Sequence, residues 1–350
     1  MGADNRLDLF QCPVGVLIGD VEREKFLADQ VSQPGIVLTL LQKLEEQRDC
    51  LVRFADQREA IGQLLTAERS LKPEGGGFLE TATQPVDDLV ARGASEARCA
   101  AELARECEVV FLCLPSSVEV EAIVYAADGL KAGARPGLVV VDSTTADPDV
   151  TRRIAADLST VEVEMIDAPL GRTPKEAEEG KLSTYVGGNV DVIRRVRPLL
   201  ECYADTIVET GAIGSGTTCK LVNNFISIGT SAVIAEAIAT AAKLGVDLQK
   251  LYDVVSAGGA NSAMFQMVMP WVLEGDDGKL KGPIRIAAKD LRFYARMAQN
   301  AQATAFIAQA CSQTYELARI LGHSERYMPV LPGILAELNG APIRALDEAP

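Results

Sequence analysis

Residues 109–114 read V-V-F-L-C-L and stop at Pro115, an apolar run with no polar alternation. Such a run fits a strand covered on both faces, as in a parallel sheet. The pattern recurs at Leu138 to Val141, followed by Asp142-Ser143-Thr144-Thr145, and at Val163 to Ile166, followed by Asp167-Ala168-Pro169. Segments of helical period separate these runs at Cys99 to Arg105, Val118 to Tyr125 and Thr151 to Leu158. Upstream, Phe78-Leu79-Glu80 reads as a strand ending in an acid, and Pro85 to Arg92 as a short helix. Alternating strand and helix imply right-handed crossovers and an α/β fold with a doubly wound parallel sheet. Ligands of such sheets gather at the carboxyl ends of the strands. Those ends carry Glu80, Leu114-Pro115, Ser143 to Thr145 and Asp167 to Thr173.

Ser183 to Gly187 and Ile207 to Glu209 read as further edge strands. After Gly211 only helical periods follow, at about 216–244, 248–257, 262–273, 287–301, 303–321 and 329–338. A chain of 350 residues is too long for one ordinary core, and the change of pattern marks where it divides. The expected organisation is an atypical N-terminal segment (1–75), an α/β domain (76–210) and an all-helical domain (211–340). Within the first segment, Val14 to Ile18 reads as a short buried strand, and Ile36 to Leu51 and Arg58 to Leu71 as helices. Neither Gly15 with Gly19 nor Gly75-Gly76-Gly77 makes G-x-G-x-x-G.

Composition narrows the function classes. A formal net charge of −15 argues against nucleic acid and anionic membrane as partners, since both call for clustered Lys and Arg. No signal pattern opens the chain and no uninterrupted apolar run reaches membrane length, so cytoplasm is expected. The eight cysteines are dispersed without C-x-x-C or a neighbouring histidine, so reduced thiols and no metal are expected. His323 is the only histidine, in a setting that reads as an exposed helix end. Acid/base chemistry would therefore fall to another residue type.

The segment 211–231 supplies one. Lys220, Asn223, Asn224 and Ser227 stand at i, i+3, i+4 and i+7, on one face of a helix whose other positions are Leu221, Val222, Phe225, Ile226 and Ile228. A narrow polar seam on an apolar helix suggests an interior helix opening on a cavity. A lysine there needs its charge compensated or its pKa lowered, and is a candidate proton donor. The competing reading is a helix at a domain or subunit boundary, its amides tying down neighbouring backbone.

Five motifs occur together with preserved spacing: F-L-C-L-P at 111–115, D-S-T-T-A-D-P at 142–148, D-A-P-L-G-R-T at 167–173, G-x-x-G-x-G-x-x-x-K-L-x-N-N at 211–224, and K-D-L at 289–291. From about Phe78 to Leu338 the chain resembles the β-hydroxyacid dehydrogenases, relatives of 3-hydroxyisobutyrate dehydrogenase. At 171–173, where most members of the family have S-G-G, this chain has G-R-T, which together with K-L-V-N-N-F-I-S-I resembles the sulfolactaldehyde reductase subgroup. The resemblance implies a Rossmann-type domain and an all-helical domain joined by a long helix, with the active site between them. It places the catalytic lysine on Lys220 and its partner amide on Asn224. Cofactor contacts fall on Leu114, Pro115, Thr145 and Lys289, and the ribose-binding acid on Glu80, which favours NAD over NADP because it repels a 2′-phosphate. Gly171, Arg172, Thr173, Asn223 and Ser227 would hold the anionic end of a small substrate, with Arg172 supplying a planar charged fork. The alternative partner for Arg172 is an ion pair with Glu176 or Glu178.

The family's first strand precedes a glycine-rich phosphate turn. Counted back from Glu80, that turn is expected near residues 50–60, where C-L-V-R-F-A-D-Q-R-E-A has no glycine. The expected activity is reversible NAD(H)-dependent reduction of an acid-bearing aldehyde, with semialdehyde-type carboxylates as the alternative substrates. A non-catalytic relative lacking the phosphate turn is the reading from a different class. A homodimer or homotetramer is expected.

Overall fold

The computed structural model describes residues 14–18, 51–54, 94–97, 99–173, 176–177, 179–344 and 346. The expected features at Glu80, Phe78–Leu79, 85–92 and 58–71 lie outside these residues, as does Glu178. By contacts the chain divides into two compact units, Met1–Lys220 and Leu221–Pro350.

In the first unit the described strands are β1 (Val14–Ile18), β2 (Leu51–Phe54), β3 (Ala94–Ala97), β4 (Val109–Cys113), β5 (Val139–Asp142), β6 (Glu164–Asp167), β7 (Leu170–Gly171), β8 (Leu182–Gly187) and β9 (Ala204–Gly211). They form one sheet ordered β3-β2-β1-β4-β5-β6-β8-β7, with β9 beside β8. β1, β4, β5 and β6 run parallel, while β2 and β3 join antiparallel on one side and β8 on the other. Val109, Phe111, Val139, Val141 and Ile166 enter one core, and Val110, Leu112, Val140 and Met165 the other. Side chains alternate along a strand, so both faces are covered, which is why these runs are apolar throughout. Helices α1 (Ala100–Glu106), α2 (Ser117–Tyr125), α3 (Leu130–Gly133) and α4 (Pro148–Ser159) lie between strands and contribute to the second core. Helix α5 (Val190–Leu200) packs on the opposite face through Val192, Ile193, Val196, Leu199 and Leu200.

Two expectations about the N-terminal segment change. Leu51, read as the end of a helix, begins β2, which pairs antiparallel with β1. The strand lying parallel to β4 is Val14–Ile18, in register Val14↔Val109 through Ile18↔Cys113. The strand in the family's first position is thus β1, well upstream of 50–60, and the residues that follow it lie outside the described ones. α5 and the small β7 also went unread; Pro198 and three arginines interrupt the apolar period of α5.

The second unit is helical: α7 (Leu248–Ala257), α8 (Ala263–Glu274), α9 (Ile284–Asn300), α10 (Phe306–Ala318) and α11 (Leu331–Leu338), with a π turn at Arg319–His323 and a 3₁₀ turn at Met328–Val330. Trp271, Tyr315, Leu291, Leu331 and Ile334 are buried in its core. The long helix α6 (Ser215–Lys243) starts in the first unit and continues in the second. By length and composition alone it would suffice to cross a membrane. Run-by-run reading passes over this because Lys220, Asn223 and Asn224 interrupt it. Ile228, Ala232, Ala235 and Ile238 of α6 belong to the protein core instead.

Candidate active site

The carboxyl ends of the parallel strands are rich in buried polar groups. Leu114 donates its N–H to Thr144 Oγ1 at 3.0 Å, and Thr144 donates its own N–H to Asp142 Oδ1 at 3.0 Å. The two turns expected to contact a cofactor, Leu114-Pro115 and 143–145, are thereby fastened together. Asp147 N–H donates to Ser117 Oγ at 2.6 Å, adding a second tie, and the Asp147 side chain caps α4. Burial pushes the Asp142 carboxyl up to about 7, opposed by its bonds from Thr144 and reinforced by the charge of Asp167.

Asp167 ends the neighbouring strand, paired in register with Asp142. Its oxygens accept the N–H groups of Gly214, at 2.7 Å, and Thr217, at 2.6 Å. Burial raises its pKa, against these two bonds. Asp142 and Asp167 head two of the motifs without a role having been expected for either; the signal that marks them is an acid closing an apolar strand.

The turn 171–173 has special backbone. Arg172 sits at φ +76, a left-handed conformation that costs a side-chain-bearing residue and that glycine adopts freely, at a position where most family members have glycine. A Cβ on Gly171 would collide with Ser183 Oγ. The Arg172 guanidinium does not pair with Glu176: it makes an ion pair with Asp205 at 2.8 Å, donates to Thr206 Oγ1 at 3.0 Å, and bonds the Lys181 carbonyl oxygen. Glu176 instead accepts the N–H of Thr173 at 3.0 Å and its hydroxyl at 2.5 Å.

Lys220, Asn223, Asn224 and Ser227 all lie on α6. Lys220 and Asn224 are half-buried, whereas Asn223 is exposed. The fully interior setting expected for this helix is not found, since Val222 is 39% and Ile226 64% exposed. Asn224 Nδ2 donates to Asp290 Oδ2 at 2.7 Å, and Asn223 Nδ2 donates to Asn224 Oδ1 at 3.3 Å. Ser227 returns its hydroxyl to the Asn223 carbonyl at 2.9 Å. Lys289 Nζ lies 3.4 Å from the other oxygen of buried Asp290 and over the Phe293 ring. Asp290 is therefore a site residue that sequence reading missed, although K-D-L contains it. His323 is half-buried rather than exposed, and burial lowers its pKa. Among the described residues no group of three or more His, Cys, Asp or Glu could hold a metal ion.

A dinucleotide fits this sheet. The order reverses between β1 and β4, the place at which sheets of this kind bind dinucleotides, and the fastened turns follow β4 and β5 at the same ends. Such a sheet followed by a helical unit defines the class of dinucleotide-dependent dehydrogenases.

Known proteins agree. The family model described as the NAD binding domain of 6-phosphogluconate dehydrogenase matches residues 78–213. The model described as NAD-binding of NADP-dependent 3-hydroxyisobutyrate dehydrogenase matches residues 214–328. A probable 3-hydroxyisobutyrate dehydrogenase-like protein of Arabidopsis thaliana is 31% identical over 219 residues, 62% of this chain and 72% of that one. The 3-sulfolactaldehyde reductase of Escherichia coli is 27% identical over 243 residues, 69% of this chain and 82% of that one. The solved 3-hydroxyisobutyrate dehydrogenase of Mycobacterium tuberculosis superposes with a TM-score of 0.65 at 26% identity, covering 80% of this chain and 96% of that one. The chain belongs to the β-hydroxyacid dehydrogenase family, NAD(P)-dependent oxidoreductases acting on CH–OH groups.

Proposed function

We propose that the protein reduces a short acid-bearing aldehyde, sulfolactaldehyde-like or a semialdehyde, reversibly to the hydroxy acid, with NAD(H) as cofactor. The observation that carries this reading is a single helix bearing Lys220, Asn223, Asn224 and Ser227, with Asn224 oriented by a buried acid beside Lys289. The nicotinamide, when bound, supplies or accepts the hydride. Lys220 as ammonium donates a proton to the carbonyl oxygen in reduction, and as amine takes it back in oxidation. Asn224, its amide fixed by Asp290, keeps the lysine and the reacting oxygen aligned.

Gly171, Arg172 and Thr173, with Asn223 and Ser227, hold the acid end. Arg172 grips Asp205 in an exposed pair, and exposed pairs are weak, so exchanging that carboxylate for a substrate oxyanion costs little. Leu114, Pro115, Thr145 and Lys289 contact the cofactor, and Glu80 selects NAD over NADP. The α/β domain of 76–210 and the helical domain of 211–340 are the functional divisions. A homodimer or homotetramer in the cytoplasm completes the reading.

A second reading, a relative that keeps the fold without binding nucleotide, is favoured by one observation: the match to the NAD-binding model begins only at residue 78. Nicotinamide fluorescence separates the two. Micromolar NADH binding with much weaker NADPH binding is expected; binding of neither contradicts the dehydrogenase.

A further inference from the structure

Asp167 is fully buried at the end of β6 and receives two backbone N–H groups from the start of α6, Gly214 on Oδ1 and Thr217 on Oδ2. Helix caps ordinarily come from the residue just before the helix. This one comes from a strand 47 positions earlier. The contact is made without intervening side chains. A Cβ on Gly187 would stand 2.6 Å from Asp167 Oδ1, and one on Gly216 would collide with the Tyr185 carbonyl oxygen. Gly214 reaches the carboxylate at φ +85, a conformation open to glycine. The first turn of α6 thus rests directly on the ends of β6 and β8.

Both neighbours of this clamp are site elements. Lys220 follows Thr217 by three residues, so the bond to Thr217 fixes the height and rotation of the turn that carries the lysine. On the other side, Asp167 leads through Ala168, Pro169 and Leu170 into Gly171-Arg172-Thr173.

We propose that Asp167 is a positioning residue for Lys220: its carboxylate locks the first turn of α6 to the strand that leads into the substrate-anion turn, setting the lysine's distance from the reacting carbonyl. This rests on the role given above to Lys220. Small displacements of a proton donor are costly, since a misplacement of about 1 Å can lower rate by about a hundredfold. Asp167→Asn keeps the shape but turns an NH₂ donor toward a backbone N–H, breaking one of the two bonds.

The test pairs hydrogen exchange with steady-state kinetics on the full-length protein. In Asp167→Asn, exchange at residues 214–220 should rise about tenfold or more, with α5 unchanged. Its kcat should fall about 10- to 100-fold, with the NADH dissociation constant within about twofold of wild type. Should Asp167→Asn unfold, raising exchange in α5 too, Thr217→Pro decides instead. It removes one donor within the first helical turn, where proline is tolerated, and should give the same selective opening and loss of kcat. Wild-type exchange at 214–220, or full kcat beside an inactive Lys220→Ala, overturns the proposal. A wild-type protein that turns over no acid aldehyde sinks the reading of Lys220 instead, and exchange at 214–220 still decides whether Asp167 holds the helix.

Discussion

Asn224 gives its side-chain amide to Asp290, Nδ2 to Oδ2 at 2.7 Å, and Asp290 is in turn approached by Lys289 at 3.4 Å. The acid fixes which end of the amide faces away, because a carboxylate accepts only from the NH₂ group. Asp290→Asn should free the amide to rotate, lowering kcat by about one to two orders of magnitude with a smaller change in KM. Stopped-flow reduction of an acid-bearing aldehyde with NADH measures both. An unchanged kcat contradicts the orienting role.

Arg172→Ala should raise KM for aldehydes carrying sulfonate or carboxylate and leave uncharged aldehydes nearly unaffected. The Arg172 hydrogen bond is the main cause holding the Asp205 carboxyl below its usual range, so the variant should also return Asp205 toward that range, readable by NMR titration. An equal rise in KM for charged and uncharged aldehydes argues against an anion pocket.

Gly216→Ala forces a methyl group against the Tyr185 carbonyl and to 3.0 Å from the Asp167 carbonyl oxygen. Backbone on both sides cannot retreat as a flexible side chain would. Overpacking of this kind costs about 1–3 kcal/mol, which lowers Tm by roughly 2–10 °C. Calorimetry of the variant checks this, and an unaltered Tm would mean that the helix can shift on the strand ends.

Asp142 makes stability depend on pH. Its folded carboxyl titrates at about 7 against an ordinary 3.8. Between those values the folded chain keeps a proton that the unfolded chain releases. Its contribution is therefore full below the lower value and is lost as pH rises through the upper one. Three units correspond to a few kcal/mol at most. Asp142→Asn imitates the protonated form, so its stability relative to wild type should improve between about pH 5 and pH 8. Urea unfolding at both values tests this; a difference independent of pH contradicts it.

The parts of the fold that sequence reading reached are those where one force dominates. Val109–Cys113, Val139–Asp142 and Glu164–Asp167 are buried on both faces, so burial alone writes their apolar runs. α6 was legible for a different reason, its polar residues recurring at helical spacing. Edge pieces were not: Ala94–Ala97 has no apolar run, and α5 mixes three arginines and a proline with its buried stripe. In the site, residue types were legible and partners were not. Arg172 stood out as a charged residue in a glycine position, but Asp205, its partner, lies on β9, 33 positions away. Asp290 likewise acts on Asn224 across 66 positions, a distance at which only the folded chain brings them together.

The most direct test of the account is proton transfer by Lys220. Wild type and Lys220→Ala are compared in NADH binding and in turnover of sulfonate- and carboxylate-bearing aldehydes. The expected result is NADH affinity within a few-fold of wild type and kcat reduced by about 10²–10⁴-fold, the span that a positioned acid/base group contributes. Equal kcat in the two proteins would contradict the assignment of Lys220 and, with it, the mechanism.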